Sequence, residues 1–343
     1  MHTKLRGTVR APRRVRQAVL CGLLLVLPFP LLFVSLFLGR VRLDPGDVVP
    51  ALLGRGEPLI RSLVLQVRLP RATAAALVGA NLAVAGAAFQ GIFHNPLVES
   101  RILGVSAGAG LGAALALVLR AGPAGIQILA FGGGLAAAGL AAFLGAAFGG
   151  GLLVLVLSGI LVNSFFSALL GLVKYFADPY VQLPGITFWL MGGLPAVLWR
   201  DVVPLAIMSA VGLGLLFLLS WRLNLLSLSE AEAKALGLPV RRLRFLVIGL
   251  GTMLTAAAVS VSGVVGWVGL IVPHAARALV GPDHLFLIPA SAGLGAGVLL
   301  LLDNVARTAF ATEIPLDILT GLLGVPVFFF LFMRQIQRGG GWR

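Results

Sequence analysis

Few residues in this 343-residue sequence have the types and spacing that chemistry needs. The four histidines are far apart in the sequence, at 2, 94, 274 and 284, and Cys21 is the single cysteine. The sequence has neither the H-E-x-x-H pattern of a zinc protease nor the G-x-x-x-x-G-K-[ST] loop that binds ATP phosphates. It therefore predicts a chain that is not an enzyme, with no catalytic residue, no metal site and no cofactor of its own.

Charged residues inside apolar runs are the next candidates, because ion-coupled transporters keep carboxylates within their spans. Asp303 comes closest, at the end of an apolar run and four residues before Arg307. On a continuing helix the two would lie on one face as a structural pair. The scarcity of acids disfavours an ion-coupled secondary transporter, which remains the alternative function.

The elements that position these residues must be membrane helices. Hydrophobic residues make up 59% of the chain and charged residues 11%, and the mean hydropathy is +1.04. A soluble domain of net charge +14 would suggest a nucleic-acid partner, but here the basic residues flank apolar runs. The composition thus predicts a membrane protein that binds the lipid bilayer and no nucleic acid.

Charge-free runs of about 18 residues or more predict helices that can cross a bilayer. The runs are 17–39, 72–98, 102–119, 121–173, 202–221, 245–276, 284–302 and, slightly short, 318–333. We predict that 121–173 breaks at the glycines 149–151 and that 245–276 breaks between Gly263 and Gly269. Run 179–199 has too many prolines and glycines for a crossing and predicts a short surface helix. The total is ten crossings in a single transmembrane domain, 1–343.

Basic residues set the predicted orientation. An arginine-rich arm, 1–17, and a basic C-terminal tail place both termini in the cytoplasm, which agrees with an even number of crossings. Segment 222–244, the coupling segment below, is then cytoplasmic, with a short helix from an N-cap at Ser229 to Gly237. Loop 40–71 is external although arginines outnumber acids in it.

The string S-A-G-x-G-x-G occurs twice, at 106–112 and 291–297. Together with a proline-containing break before each copy, it suggests an inverted internal repeat of spans two to five and seven to ten, an arrangement common in transporters. Glycines four residues apart within these strings also predict close packing between helices.

Ordered strings across most of the chain resemble the permease subunits of type II ABC importers, the family that takes up iron siderophores, heme and vitamin B12. The strings are V-R-L-P-R at 67–71, F-Q-G at 89–91, N-P-L at 95–97, I-L-G-V-S-A-G at 102–108, A-L-G at 235–237, G-L-I-V-P-H at 269–274, D-N-V-A-R at 303–307 and E-I-P at 313–315.

This resemblance implies an all-α polytopic fold of about ten helices, like the vitamin B12 importer permease. It implies a homodimer in the bacterial inner membrane, two cytoplasmic ATPase subunits that use ATP and magnesium, and a periplasmic binding protein. The cargo would be heme, a ferric siderophore or cobalamin. Among these the sequence does not choose, and a contact of His94 or His274 with heme iron stays open.

The resemblance also implies roles for particular residues. Positive charges at Arg68, Arg71 and Arg307 match positions that receive acidic residues of the binding protein, and Asn95 and Leu97 match a cytoplasmic gate.

In the coupling segment, four residues would contact the ATPase: Glu230, Ala233, Leu236 and Gly237. Run 152–173 resembles the helix that lines the pathway, on which Asn163, Ser164 and Ser167 share one face.

Overall fold

The computed structural model describes residues 13–228 and 230–337, and over these residues the regular structure is entirely helical. The α-helices are α1 (Arg13–Val26), α2 (Pro28–Ser35), α3 (Pro45–Leu52), α4 (Pro58–Ser62), α5 (Leu69–Ile92), α6 (Val105–Val118), α7 (Gly122–Ala147), α8 (Leu152–Phe176), α9 (Gln182–Leu190), α10 (Trp199–Leu218), α11 (Ser220–Leu226), α12 (Glu230–Ala235), α13 (Val240–Ser262), α14 (Val268–Val280), α15 (His284–Thr308) and α16 (Leu316–Gln337). A π-helical turn, Leu63–Arg68, precedes α5, and a 3₁₀ helix, Ser100–Leu103, precedes α6.

Ten helical segments of the described chain account for the predicted crossings. Seven are long and apolar enough to span a membrane, the first of them α1 together with α2, and three shorter apolar helices are α6, α14 and the first part of α16. The break predicted within 121–173 is present, with left-handed backbone at Gly149 and Gly150 (φ +108° and +70°). The break predicted within 245–276 separates α13 from α14, and run 179–199 contains only the short α9.

Helix α5 is the centre of the bundle and is buried along most of its length against α13, α14 and α15. Its small residues allow this approach: a Cβ at Gly79 would lie 2.2 Å from the carbonyl oxygen of Gly295, and one at Gly86 would lie 1.8 Å from that of Gly269. Apolar side chains gain little from leaving lipid, so close backbone packing supplies the attraction between such helices.

The repeated glycine strings pack in two different settings. Gly108 and Gly112 of α6 lie against α7, whereas Gly293 of α15 lies against the backbone of α1 at Leu24. Successive crossings alternate in direction, so α6 and α15 run the same way through the bundle. Equivalent helices of an inverted repeat would run oppositely; the shared string therefore marks close packing, and the inverted repeat stays a prediction.

The bundle has two ends with different contents. The Arg71 end carries the start of α5, the end of α15 and helices α3, α4 and α9. The Asn95 end carries the loop that follows α5, residues 93–99 (the gate loop), together with α11, α12 and the turn between α14 and α15. The residues for which the sequence predicts a role lie in three places: the Arg71 end, the Asn95 end and one face of α8.

Candidate functional site

A buried ion cluster ties three parts of the chain together at the Arg71 end. The guanidinium of Arg71 donates to both oxygens of Asp303 at 2.8–3.1 Å and to both oxygens of Glu313 at 3.0 Å. The side chains of Arg71 and Asp303 are 9% and 2% exposed. Because buried charges are costly unless paired, these two-pronged contacts hold the start of α5 to the end of α15.

Two further arginines are buried beside this cluster. The Arg307 side chain donates to the carbonyl oxygen of Ser35 at 2.7 Å, and its Nε lies 3.6 Å from Asp303, which confirms the predicted structural pair. Arg68 donates to the carbonyl oxygens of Leu36, at 2.6 Å, and Val41.

The burial of Arg68, Arg71 and Arg307, which are 4%, 7% and 5% exposed, argues against the docking role predicted for them. A positive charge that is to receive a carboxylate from another protein must be accessible to it. Their guanidinium groups instead bind acceptors within the chain. The exposed arginines of the preceding loop are Arg40, Arg42, Arg55 and Arg61.

The gate loop at the Asn95 end is exposed at both predicted gate residues. The side chain of Asn95 accepts a hydrogen bond from the Leu97 backbone at 2.9 Å, and Leu97 is 49% exposed. The preceding residue, His94, has left-handed backbone (φ +49°). Its ring Nε2 lies 2.8 Å from the carbonyl oxygen of Leu226 and therefore carries the proton that it donates.

The far end of the gate loop is fastened to the break between α13 and α14. Glu99 pairs with Arg101 at 2.9 Å, and its other oxygen accepts the backbone N–H of Trp267 at 2.9 Å. Trp267 has left-handed backbone (φ +68°), and the neighbouring Gly266 donates its N–H to Asp317 at 2.9 Å. No local pattern in the sequence indicates these contacts, although Glu99 and Arg101 are charges between two apolar runs.

The coupling segment exposes part of what was predicted to contact an ATPase. Glu230 is exposed and pairs with Lys234 at 2.8 Å and Arg244 at 3.4 Å; the hydrogen bond from Lys234 and its charge lower the pKa of Glu230. Leu236 is 61% exposed, and Gly237 is exposed with left-handed backbone.

One residue of that set faces inward. The side chain of Ala233 is 1% exposed and packs in the apolar core, and its contact with a partner stays a prediction. The predicted N-cap, Ser229, lies outside the described residues.

Helix α8 exposes the three polar residues predicted to line a pathway. Asn163, Ser164 and Ser167 are exposed, and Ser164 donates to the carbonyl oxygen of Ile160 at 2.9 Å. Large apolar side chains, among them Phe165, are exposed on the same helix. The α8 surface therefore has polar atoms within an apolar face, and the lining role stays a prediction.

A cavity of about 710 Å³ lies between the gate loop, α11 and the α14–α15 turn. Arg277 donates to Gln90 at 3.1 Å on one wall, and Asn224 donates to Asp283 at 2.7 Å on another. His94 and His274 both line the cavity, and the hydrogen bond to Leu226 leaves His94 only Nδ1 for a ligand.

Comparison with known proteins decides the family. A family model of the FecCD transport family matches residues 23–334. The chain belongs to the FecCD transport family. It is thus an ABC transporter permease, as the ordered strings predicted, and the ion-coupled secondary transporter is excluded as a class.

Relatives of this FecCD-family permease match along most of its length. The molybdate import system permease protein MolB of Haemophilus influenzae is 40% identical over 330 residues, which cover 94% of this chain and 97% of MolB. The cobalamin import system permease protein BtuC of Halobacterium salinarum is 41% identical over 280 residues, 80% of this chain and 74% of BtuC.

The fold of the permease is shared with a solved structure. An ABC transporter described as metal-chelate type, in an inward-facing conformation, has a TM-score of 0.84 and 40% identity, and the match covers 92% of this chain and 99% of that one. The all-helical membrane fold predicted from the sequence is confirmed.

Proposed function

We propose that two copies of this FecCD-family permease form the membrane pathway of an ATP-driven importer for a metal chelate: heme, a ferric siderophore or cobalamin. The observation that carries the proposal is the family match over residues 23–334, supported by a solved relative of metal-chelate type. Because the sequence has no ATP-binding loop, two cytoplasmic ATPase subunits would bind ATP and magnesium, and this chain would be neither an enzyme nor the holder of a cofactor.

The charge distribution supports a proposed orientation of the permease in the bacterial inner membrane. The coupling segment carries Arg222, Lys234, Arg241, Arg242 and Arg244 against two acids, which favours the cytoplasm for the Asn95 end. The Arg71 end is then periplasmic, and ten crossings return both termini to the cytoplasm.

Each end then receives one partner. The exposed side chains of Glu230 and Leu236 offer a polar and an apolar contact to an ATPase subunit, whose closure on ATP would displace α12. At the opposite end the periplasmic binding protein would dock on the exposed arginines of loop 40–71, which are Arg40, Arg42, Arg55 and Arg61.

The second copy would pack so that the exposed face of α8 borders the pathway. A continuous apolar surface would face lipid, but polar side chains on α8 at 163, 164 and 167 suit a passage that admits water. Asn95 and Leu97, exposed at the cytoplasmic end, would close this passage as the gate.

Molybdate is a second candidate cargo. MolB matches this chain over 97% of its own length at 40% identity, which is a longer match than that of the cobalamin permease. A small oxyanion and a large chelate need different passages, so cargo identity has to be measured.

Reconstitution tests the proposal. The permease, its ATPase and its binding protein are placed in proteoliposomes, and uptake of heme, a ferric siderophore, cobalamin and molybdate is compared with and without ATP on the ATPase side. We expect ATP-dependent uptake of one metal chelate that requires the binding protein. Uptake of molybdate alone would select the second candidate, and uptake driven by an ion gradient without ATP would contradict the proposal.

A further inference from the structure

His94 joins the gate loop to the coupling segment by a side-chain hydrogen bond. Its Nε2–H donates to the carbonyl oxygen of Leu226, the last residue of α11, at 2.8 Å, a distance typical of a well-formed bond. The final carbonyls of a helix lack partners within the helix. His94 therefore supplies the acceptor of Leu226 with a donor from another part of the chain, 132 residues away.

The position of this bond connects two sites of the proposed function. Asn95, one of the two gate residues, follows His94 directly, and its backbone N–H donates to the carbonyl oxygen of Gln90 at the end of α5. On the other side, α12 begins at Glu230, four residues after Leu226. The bond between His94 and the Leu226 carbonyl therefore connects the gate loop to the helix that precedes α12 in the chain.

The backbone of His94 is left-handed at the end of α5, where the Asn95 N–H donates to the Gln90 carbonyl. Its φ of +49° lies in the left-handed region, which non-glycine residues rarely adopt. Such conformations persist where surrounding contacts impose them, and they concentrate at switch regions. The bond from the ring to Leu226 is one of the contacts that hold this residue, and Asn95 follows it directly in the gate loop.

Helix α11 also has contacts that do not involve the gate loop. Asn224 donates to Asp283 at 2.7 Å and accepts from the backbone N–H of His284 at 2.8 Å, which fixes α11 to the start of α15. One turn of helix thus has an anchored side at Asn224 and a contact with the gate loop at Leu226.

We propose that His94 is a positioning residue that transmits movement of the coupling segment, residues 222–244, to the gate residues Asn95 and Leu97. The proposal rests on the proposed function, because the coupling segment and the gate are defined by it. His94 touches no cargo in this role; it sets the gate through its bond to Leu226.

Two substitutions at this position separate the bond from the backbone. In His94→Asn the new side chain tolerates left-handed backbone but its amide is too short to reach Leu226. In His94→Gln the amide nitrogen lies about as far from the backbone as Nε2 and can donate to the same carbonyl. Thr187→Ala is the control, since Thr187 also donates to a backbone carbonyl, that of Leu183 at 2.8 Å, but lies in α9 at the opposite end.

The first measurement is cargo moved per ATP hydrolysed by the complete importer in proteoliposomes. We expect His94→Asn to lower this ratio at least fivefold while ATP hydrolysis stays within twofold of wild type, His94→Gln to recover most of it, and Thr187→Ala to leave it within twofold. A His94→Asn ratio equal to that of wild type would overturn the proposal. So would failure of this variant to assemble with the ATPase, because the bond would then be structural.

The second measurement needs no transport and keeps the inference separate from the proposed function. The native chain has one cysteine, Cys21, which is 7% exposed, so Leu97→Cys can be labelled selectively with a membrane-impermeant thiol reagent. We expect ATP binding to the complex to change the labelling rate several-fold, and His94→Asn to abolish that change. A change that persists in His94→Asn contradicts the inference, whereas absent uptake by the wild-type importer would contradict only the proposed function.

Discussion

The two ends of the permease use charged and polar side chains in opposite ways. At the Arg71 end, one arginine makes at least two hydrogen bonds to each of two carboxylates, and the side chain of one of them, Asp303, is 2% exposed. At the Asn95 end, Glu230 is half exposed and His94 makes a side-chain hydrogen bond to the backbone of α11. Breaking a buried pair costs far more than breaking an exposed one. The same residue types therefore fix one end and leave the other able to move.

This difference fits a transporter in which one end responds to an ATPase. Regions with few buried contacts open at low free energy, and moving elements are drawn from them. The Arg71 cluster joins α5, α15 and the loop before α16 through buried ion pairs, whereas the ion pairs of α12 involve the half-exposed Glu230.

Loss of Asp303 should destabilise the permease most. Asp303→Ala leaves the buried guanidinium of Arg71 with Glu313 alone and removes the carboxylate partner of Arg307, so we expect a loss of about 3 to 5 kcal/mol. A fall in the thermal unfolding midpoint of the detergent-solubilised complex measures it. Glu57→Ala is the control, because Glu57 is exposed. Equal midpoints for the two variants would show that the cluster does not fix this end.

Loss of Glu99 should have an intermediate effect. Glu99→Ala removes the acceptor of the Trp267 N–H and the partner of Arg101, so we expect a cost of about 1 to 3 kcal/mol in the same unfolding measurement. Glu99→Gln keeps an oxygen for Trp267 and should recover part of that cost. If Glu99→Gln is as unstable as Glu99→Ala, the stabilising contact of Glu99 is its ion pair with Arg101 and not its hydrogen bond to Trp267, at the break between α13 and α14.

The sequence predicted what depends on local composition. Ten crossings and the two glycine breaks follow from charge-free runs, since the cost of a charge in the bilayer is a property of each segment. The Asp303–Arg307 pair was predictable for the same reason, as it lies within one helical turn. The second partner of Asp303, Arg71, is 232 residues away, and no local pattern indicates it.

The same limit applies to the burial of the residues predicted to dock a partner. Loop 40–71 contains six arginines that the sequence alone does not distinguish. In the structure Arg68 and Arg71 are buried and the other four are exposed. The burial of Ala233 was equally unpredictable, because a six-residue helix has too few turns for its apolar positions to define a buried face. Which side of an element is covered depends on distant neighbours, and therefore required the structure.

Charge reversal at the exposed arginines should alter binding and leave stability unchanged. Arg40→Glu combined with Arg42→Glu should weaken capture of the binding protein about tenfold at low salt, with a smaller difference at high salt because surface charges are screened. Binding to the immobilised complex measures it. Arg200→Glu, at another exposed arginine, is the control. Capture that is unchanged by the double reversal would exclude docking on these residues.

Among the substitutions expected to lower stability, the smallest effect is expected at the coupling segment. Glu230→Gln removes exposed pairs with Lys234 and Arg244, which together contribute no more than about 1 kcal/mol after solvent screening. The pKa of Glu230 is lowered in the folded chain, so its contribution is complete above the unfolded pKa and is lost as the pH falls through the lower, folded value. Unfolding midpoints of wild type and Glu230→Gln should therefore differ slightly at pH 7 and converge in acid. A difference as large as that of Asp303→Ala would mean that the Asn95 end is held as firmly as the Arg71 end, and the contrast between them would fail.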